Sequence, residues 1–209
     1  KNTPRLVGGI NPESQQKALE FYNSICDSVI SVSSPEIAEA GKLLENTFRL
    51  VNIALIHEFT QLCDSQDIDV NQVIDAASTK PYGFMPFRPG VGIGGHCIPV
   101  DPMYLSWLAR SRGIESTLID AAQEINDKAP MRIFKIIESF GLNEHSLLLQ
   151  VGLSYKAGVS DLRESPSLEL FQSLQNKFKQ VEWWDSSLQQ WGNSNRSNLQ
   201  GDYELVVLT

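Results

Sequence analysis

The sequence predicts an α/β multi-domain protein in which a helical central domain lies between parts of two α/β domains. Short apolar runs typical of strands occur near both ends of the 209-residue chain, whereas a long stripe of apolar residues at helical spacing occupies the middle. Strand and helix patterns alternate again after residue 142. We therefore expect domains at residues 1–33, 34–142 and 143–209.

The first 33 residues read as strand, helix and strand. Residues 5–8 form an apolar run, Asn11 and Pro12 start a helix that continues to about residue 26, and residues 29–32 form a second run. A unit this small cannot bury both faces of a sheet. We expect it to be the tail of an α/β domain whose main part lies upstream.

The central region begins with a long helix, predicted from Pro35 to about residue 65. Its apolar residues recur at steps of three and four: Ile37, Ala40, Leu44, Phe48, Val51, Leu55, Phe59 and Leu62. A second apolar row widens this stripe, as is typical of a helix inside a bundle or against another subunit, and consists of Leu43, Leu50, Ile53 and Ala54. Gly41 costs about 1 kcal/mol relative to alanine, so a close neighbour is expected there.

Shorter helices follow, at residues 69–77, 101–112 and 117–140, and Pro130 can interrupt the last of them. Between the first two lies a loop, residues 78–100, with glycine and proline throughout. A loop of this length is usually functional.

The last region alternates strands with a helix, which predicts a partial parallel sheet. Strand-like runs lie at residues 147–151, 181–184 and 205–208, and Ser165 and Pro166 start a helix that continues to about residue 178. Residues 186–201, rich in Asn, Gln and Ser, are expected to be a mobile connection. The domain is expected to be incomplete.

Composition excludes several classes of function. The net charge is −8 and there is no basic run, which argues against nucleic acid and anionic membrane surfaces as partners. No apolar stretch is long enough to span a bilayer. Cys26, Cys63 and Cys97 are widely spaced, as expected for free thiols in a reducing, cytoplasmic compartment. No Cys/His spacing predicts a metal site.

Residues 92–101, here called the cysteine turn, carry the strongest chemical signal. Cys97 follows a run of glycines, and Asp101 comes four residues later. Glycines allow a tight turn and close approach of a ligand. A cysteine in such a turn can be exposed and deprotonated, as a nucleophile must be. A small buried hydrophobe is the ordinary alternative.

Four segments, in order, strongly resemble the UDP-glucose/GDP-mannose dehydrogenase family of NAD-dependent nucleotide-sugar 6-dehydrogenases. They are residues 38–49, 84–90, 92–101, and 152–156 together with 161–166. The resemblance implies the tail of a Rossmann NAD-binding domain and a dimerisation domain like the C-terminal domain of 6-phosphogluconate dehydrogenase. A partial Rossmann-like, UDP-binding domain follows.

The resemblance also implies a reaction, the four-electron oxidation of the C6 hydroxyl of a UDP-sugar to a uronate. Cys97 would capture the aldehyde as a thiohemiacetal, which becomes a thioester that water hydrolyses. Lys42 and Asn46, one helical turn apart, would stabilise the oxyanion at C6. Asp101 would activate water or keep Lys42 charged.

Ligand contacts carry over in the same way. The implied substrate contacts are Arg88, Gly94, Tyr155 and Lys156, and the implied NAD contact is Arg163. Each role has a structural alternative. Lys42 could be a solvated lysine, Asn46 a residue on an exposed helix face, Asp101 only a helix N-cap, and Arg88 a surface charge.

Two histidines receive structural interpretations. His96 is expected to support the backbone of the cysteine turn, because the family varies there. His57, on the long helix, is expected at an interface or on the surface.

The family's glycine fingerprint for the NAD phosphates is not found in this sequence, and Gly8-Gly9 does not fit it. We therefore expect the whole protein to be an enzyme and these 209 residues alone to be inactive. A non-catalytic module that dimerises and binds a sugar nucleotide is the alternative hypothesis.

Substrate choice follows from residues 84–87 and 96–102, which resemble the UDP-N-acetylhexosamine branch of the family. UDP-N-acetylglucosamine is the first expectation and UDP-N-acetylmannosamine the second, with the product used for surface polysaccharide. A homodimer built through the central helices is the expected assembly.

Overall fold

The computed structural model describes residues 2–209 and confirms the mixed helical and parallel-sheet fold class. The chain forms two compact units that divide within the long helix, between Phe48 and Arg49. The elements are β1 (Arg5–Val7), α1 (Pro12–Ile25), β2 (Val29–Ser31), α2 (Pro35–Asp64), α3 (Val70–Ser78), α4 (Asp101–Ser111), α5 (Thr117–Asp127), α6 (Ala129–Ser139), β3 (Leu147–Val151), α7 (Pro166–Lys177), β4 (Gln180–Trp184), β5 (Gln190–Trp191), β6 (Ser194–Asn195) and β7 (Leu205–Leu208).

The first unit joins β1 and β2 as a parallel pair, with Leu6 opposite Ile30 and α1 as the crossover. Asn11 starts α1 because its side chain accepts the N–H of Ser14 at 2.8 Å, while the hydroxyl of Ser14 accepts the N–H of Asn11. The close neighbour expected at Gly41 is Leu6, whose Cδ1 would lie 3.0 Å from a Cβ at that position. A larger residue there would require Leu6 to move.

The second unit contains the rest of α2, packed through two small cores. One consists of Ile56, Cys63, Val70 and Ile74, and the other of Leu50, Ala54 and Ala122. The side-chain amide of Asn126 donates to the carbonyl oxygens of Leu50 at 3.1 Å and Ala122 at 2.9 Å. This buried amide ties α5 to α2.

The interruption at Pro130 is confirmed, because α5 ends at Asp127 and α6 begins at Ala129. Proline has no N–H to donate. Pro130 lies in the first turn of α6, where backbone N–H groups have no intrahelical acceptor, so no helical hydrogen bond is lost. Lys128 separates the two helices, at the C-cap position of α5 and the N-cap position of α6.

The C-terminal sheet has the strand order β4-β3-β7, and all pairs are parallel. Its apolar core with α6 and α7 consists of Ile137, Leu148, Leu170, Leu174 and Phe178. Residues 186–201, expected to be a mobile connection, contain β5 and β6, which form a short antiparallel hairpin. The indole N–H of Trp183 donates to the hydroxyl of Ser194 at 3.1 Å, which attaches this hairpin to β4.

The long helix buries part of its second apolar row in this chain and exposes part of its main stripe. Leu50 and Ala54, from its second apolar row, are buried, whereas Leu44, Leu55 and Leu62, from its main stripe, are 59–67% exposed. His57 is 1% exposed, so its expected surface position is wrong. Across residues 2–209, no helix is long and apolar enough to cross a membrane.

Candidate functional site

The cysteine turn occupies the loop between α3 and α4, both in the second unit. Gly92 and Gly95 have φ values of +139° and +88°, which residues with a Cβ rarely adopt. A Cβ on Gly94 would lie 2.6 Å from the Cβ of Tyr155 and 2.6 Å from the carbonyl oxygen of Glu164. The glycines are therefore required by close packing on the loop that follows β3.

Cys97 is exposed, in contrast to Cys63, which is buried. Its carbonyl oxygen accepts the N–H groups of Val100 at 3.3 Å and Asp101 at 2.8 Å, so the chain turns directly into α4. The ordinary alternative of a buried, inert thiol is wrong for this residue. Its side chain can be reached by a ligand, as a nucleophile requires.

Asp101 is the first residue of α4 but does not cap it. Val100 occupies the N-cap position, and no side-chain hydrogen bond caps the helix. The alternative that Asp101 is only the N-cap of α4 is therefore wrong. Its carboxylate lies in the first turn, where the helix dipole favours a negative charge.

Lys42 and Asn46 lie one turn apart on α2, within the first unit. The ammonium of Lys42 lies 3.5 Å from Oδ1 of Asn46 and 3.7 Å from Oε2 of Glu45. Asn46 is 1% exposed, so its alternative as a residue on an exposed helix face is wrong. The side chain of Lys42 is 53% exposed, so its ammonium can contact a ligand. That these two side chains meet Cys97 and Asp101 of the second unit stays a prediction.

The loop of residues 155–163, here called the 155–163 loop, follows β3. It carries three of the predicted ligand contacts, Tyr155, Lys156 and Arg163. The N–H of Tyr155 donates to the carbonyl oxygen of Asp161 at 3.2 Å, which closes the loop. Lys156 is exposed. Arg163 donates through Nε and Nη2 to the two carboxylate oxygens of Asp161, at 3.0 and 2.7 Å. A cofactor contact by Arg163 would therefore use the remaining N–H groups of a guanidinium that Asp161 already orients.

Asp161 is a residue that sequence reasoning did not single out within its motif. Hydrogen bonds from Arg163 hold the pKa of Asp161 well below its usual range, and the carboxylate in turn raises the pKa of Arg163. His96 approaches the same carboxylate, with 3.6 Å between Nε2 and Oδ2. The only available signal was the Asp-x-Arg spacing, since the approach of His96 depends on the fold.

The contacts of Arg88 are with residues of α3. Its guanidinium pairs with the carboxylate of Asp75 and donates to the side-chain oxygen of Asn71 at 3.1 Å, both on α3. Half of the Arg88 side chain is exposed. Its role as a substrate contact stays a prediction, and such a contact would compete with Asp75.

The residues around α1 do not fit the pyrophosphate of NAD. In a dinucleotide site, the free N–H groups at the start of a helix cradle the phosphates. Here Asn11 and Ser14 cap each other at that position, and the N–H of Gly9 donates to the side chain of Gln15. Over the described part of the chain, no three His, Cys, Asp or Glu side chains gather to hold a metal ion.

Comparison with known proteins gives a consistent set of relatives. The model of the UDP-glucose/GDP-mannose dehydrogenase family, central domain, matches residues 36–128. The chain is 37% identical over 184 residues to the UDP-N-acetyl-D-mannosamine dehydrogenase of Methanococcus vannielii, which covers 87% of this chain and 42% of that protein. It is 35% identical over 172 residues to the NDP-N-acetyl-D-galactosaminuronic acid dehydrogenase of Ralstonia nicotianae, over 81% of this chain and 40% of that protein.

A solved structure supports the same relationship. The UDP-N-acetyl-mannosamine dehydrogenase of Staphylococcus aureus superposes with a TM-score of 0.82 and 28% identity, over 99% of this chain and 48% of that one. The chain therefore spans less than half the length of these relatives.

Proposed function

Since the chain belongs to the UDP-glucose/GDP-mannose dehydrogenase family through the central domain matched at residues 36–128, we propose that it is part of a nucleotide-sugar 6-dehydrogenase. The reaction is the oxidation of the C6 hydroxyl of a UDP-N-acetylhexosamine to the uronate. The observation that carries this proposal is the exposed Cys97 in a turn that only glycines can form. NAD would supply the chemistry of hydride acceptance in both oxidations.

Cys97 is the group that retains the aldehyde. Its thiolate sulfur adds to the aldehyde carbon, and the carbonyl oxygen takes a proton to give a thiohemiacetal. The exposure of the Cys97 side chain and the tight turn at its carbonyl suit a nucleophile held in one orientation. After oxidation to the thioester, water attacks the acyl carbon, and the thiolate leaves as the carboxylate forms.

Lys42 and Asn46 would stabilise the developing negative charge on the C6 oxygen. The ammonium of Lys42 lies 3.5 Å from Oδ1 of Asn46 on one face of α2, so the two groups are neighbours, as a shared oxyanion site requires. Asp101 would orient the attacking water. We place the nucleotide sugar against the cysteine turn near Gly94, with Tyr155, Lys156 and Arg88 as its contacts and Arg163 beside NAD.

The relatives favour one substrate order over the other. The sequence alone ranks UDP-N-acetylglucosamine before UDP-N-acetylmannosamine, whereas the Methanococcus and Staphylococcus relatives are both UDP-N-acetylmannosamine dehydrogenases. We therefore propose UDP-N-acetylmannosamine as the first substrate to test. A product destined for surface polysaccharide and a cytoplasmic location accompany this proposal.

A homodimer is part of the same proposal. Leu55 and Leu62 lie two turns apart on α2 and expose 60% and 59% of their surfaces. Large apolar side chains exposed on one helix face are typical of a surface that a second subunit covers.

The decisive experiment is the number of NADH molecules formed per UDP-sugar consumed. It uses the longest product of the gene that contains these residues, with Cys97→Ala as the comparison. Two NADH per sugar, lost in the variant, support the dehydrogenase. Binding of the sugar nucleotide by a folded dimer with no NADH from any sugar would favour the non-catalytic module.

A further inference from the structure

The glycines of the cysteine turn pack closely against the side chain of Tyr155 in the 155–163 loop. A Cβ on Gly95 would lie 2.7 Å from Cε2 of Tyr155, which adds to the contact of Gly94 with the Cβ of the same residue. Any shift of Tyr155 therefore acts on the residues that immediately precede Cys97.

His96 adds a polar contact to this apolar one. Its ring meets the ring of Tyr155 edge-on, with centroids 6.2 Å apart, and its Nε2 lies 3.6 Å from Oδ2 of Asp161. The carboxylate of Asp161 is 24% exposed and is held by Arg163. His96 thus lies between the residue that anchors the 155–163 loop and the proposed nucleophile.

We propose that His96 is a positioning residue that, through Asp161, holds Cys97 in place against the 155–163 loop. The proposal rests on the proposed function only in taking Cys97 as the nucleophile. A ligand that orders Lys156 and Arg163 would then also order the thiol, because the imidazole connects the two segments. Packing alone would not need the imidazole nitrogen, since a phenyl ring could meet Tyr155 equally well.

Hydrogen exchange measured by mass spectrometry tests this connection on the chain itself. The amides of Val100 and Asp101 report the position of Cys97, because both donate to its carbonyl oxygen. His96→Phe keeps an aromatic edge on Tyr155 but loses Nε2. We expect it to raise exchange at these two amides severalfold.

The partner residue gives the matching variant. Asp161→Asn weakens the contact with His96 as well as the ion pair with Arg163, so it should raise exchange at the same amides at least as much. Adding His96→Phe to Asp161→Asn should then change little, because the His96 contact is already weakened. His96→Gln retains a side-chain N–H donor. In this variant the amides of Val100 and Asp101 should exchange at a rate closer to that of the wild type than in His96→Phe. His145→Phe is the control, since His145 has its own carboxylate neighbour, Glu144, at 3.2 Å.

Unchanged exchange in His96→Phe would overturn the proposal. So would a double variant in which the increase in exchange equals the product of the increases in the two single variants. Exchange is measured without turnover, so this outcome would leave the dehydrogenase proposal intact. Conversely, an intact coupling in a protein that forms no NADH would contradict the proposed function and leave the structural connection standing.

Discussion

Nη2 of Arg132 lies 3.4 Å from Nδ1 of His57, which places a guanidinium beside an imidazole that is 1% exposed. Burial, and then the charge of Arg132, lower the pKa of His57 to about 4. The imidazole is therefore neutral in the folded protein at neutral pH, and its protonation favours the unfolded chain.

This relationship predicts an acid-sensitive fold. Between about pH 4 and the unfolded pKa of about 6.5, the unfolded state binds more protons at His57, so stability rises with pH there and is lost on acidification. From pH 7 to pH 5 the loss should be about 2 kcal/mol. Urea unfolding at both pH values should show it in the wild type and in His145→Gln, and less of it in His57→Gln. An equal loss in His57→Gln would contradict the assignment.

The packing of the cysteine turn predicts that one added methyl group at Gly94 lowers the free energy of unfolding. Gly94→Ala should destabilise the protein by about 1–3 kcal/mol in urea unfolding, because the new Cβ meets the backbone of Glu164 and the Cβ of Tyr155 at 2.6 Å. Gly90→Ala is the matched control, since nothing lies within 4 Å of its Cβ position. Equal midpoints for the two variants would show that the turn is loosely packed.

The proposed oxyanion role of Lys42 predicts a catalytic defect without a folding defect. Lys42→Met should lower kcat of the whole enzyme by on the order of 100-fold, the typical loss when one oxyanion donor is removed. Its melting temperature should hardly change, because the side chain is half exposed. Lys17→Met, at an exposed position on α1, should keep full activity. A normal kcat in Lys42→Met would exclude the role.

The exposed stripe of α2 predicts assembly through this helix. Leu55→Lys should convert a dimer to a monomer, or raise its dissociation constant at least about tenfold, because a charge would be buried in an apolar interface. Light scattering over a concentration series measures this. Ile10→Lys changes a residue that is 83% exposed outside α2 and should leave the dimer intact. A wild-type monomer at high concentration would refute the dimer itself.

Local patterns were sufficient for most of the elements and for the cysteine turn. The caps at Asn11 and Ser165, the break at Pro130 and the glycine turn depend on residues adjacent in the chain, so their chemistry could be recognised without a fold. The hairpin at residues 190–195 was missed because its two strands have two residues each, too few to produce an alternating pattern.

The sequence by itself determined the succession of helices and parallel strands and the glycine turn before Cys97, since both follow from residue types at short spacing. The exposure of the Cys97 thiol was decided by the tertiary structure. Only the tertiary structure decided which polar groups meet. His57 faces Arg132, 75 residues away, and His96 faces Asp161 across two loops. Such pairs form because packing brings distant segments together, and no periodicity within either segment encodes its partner.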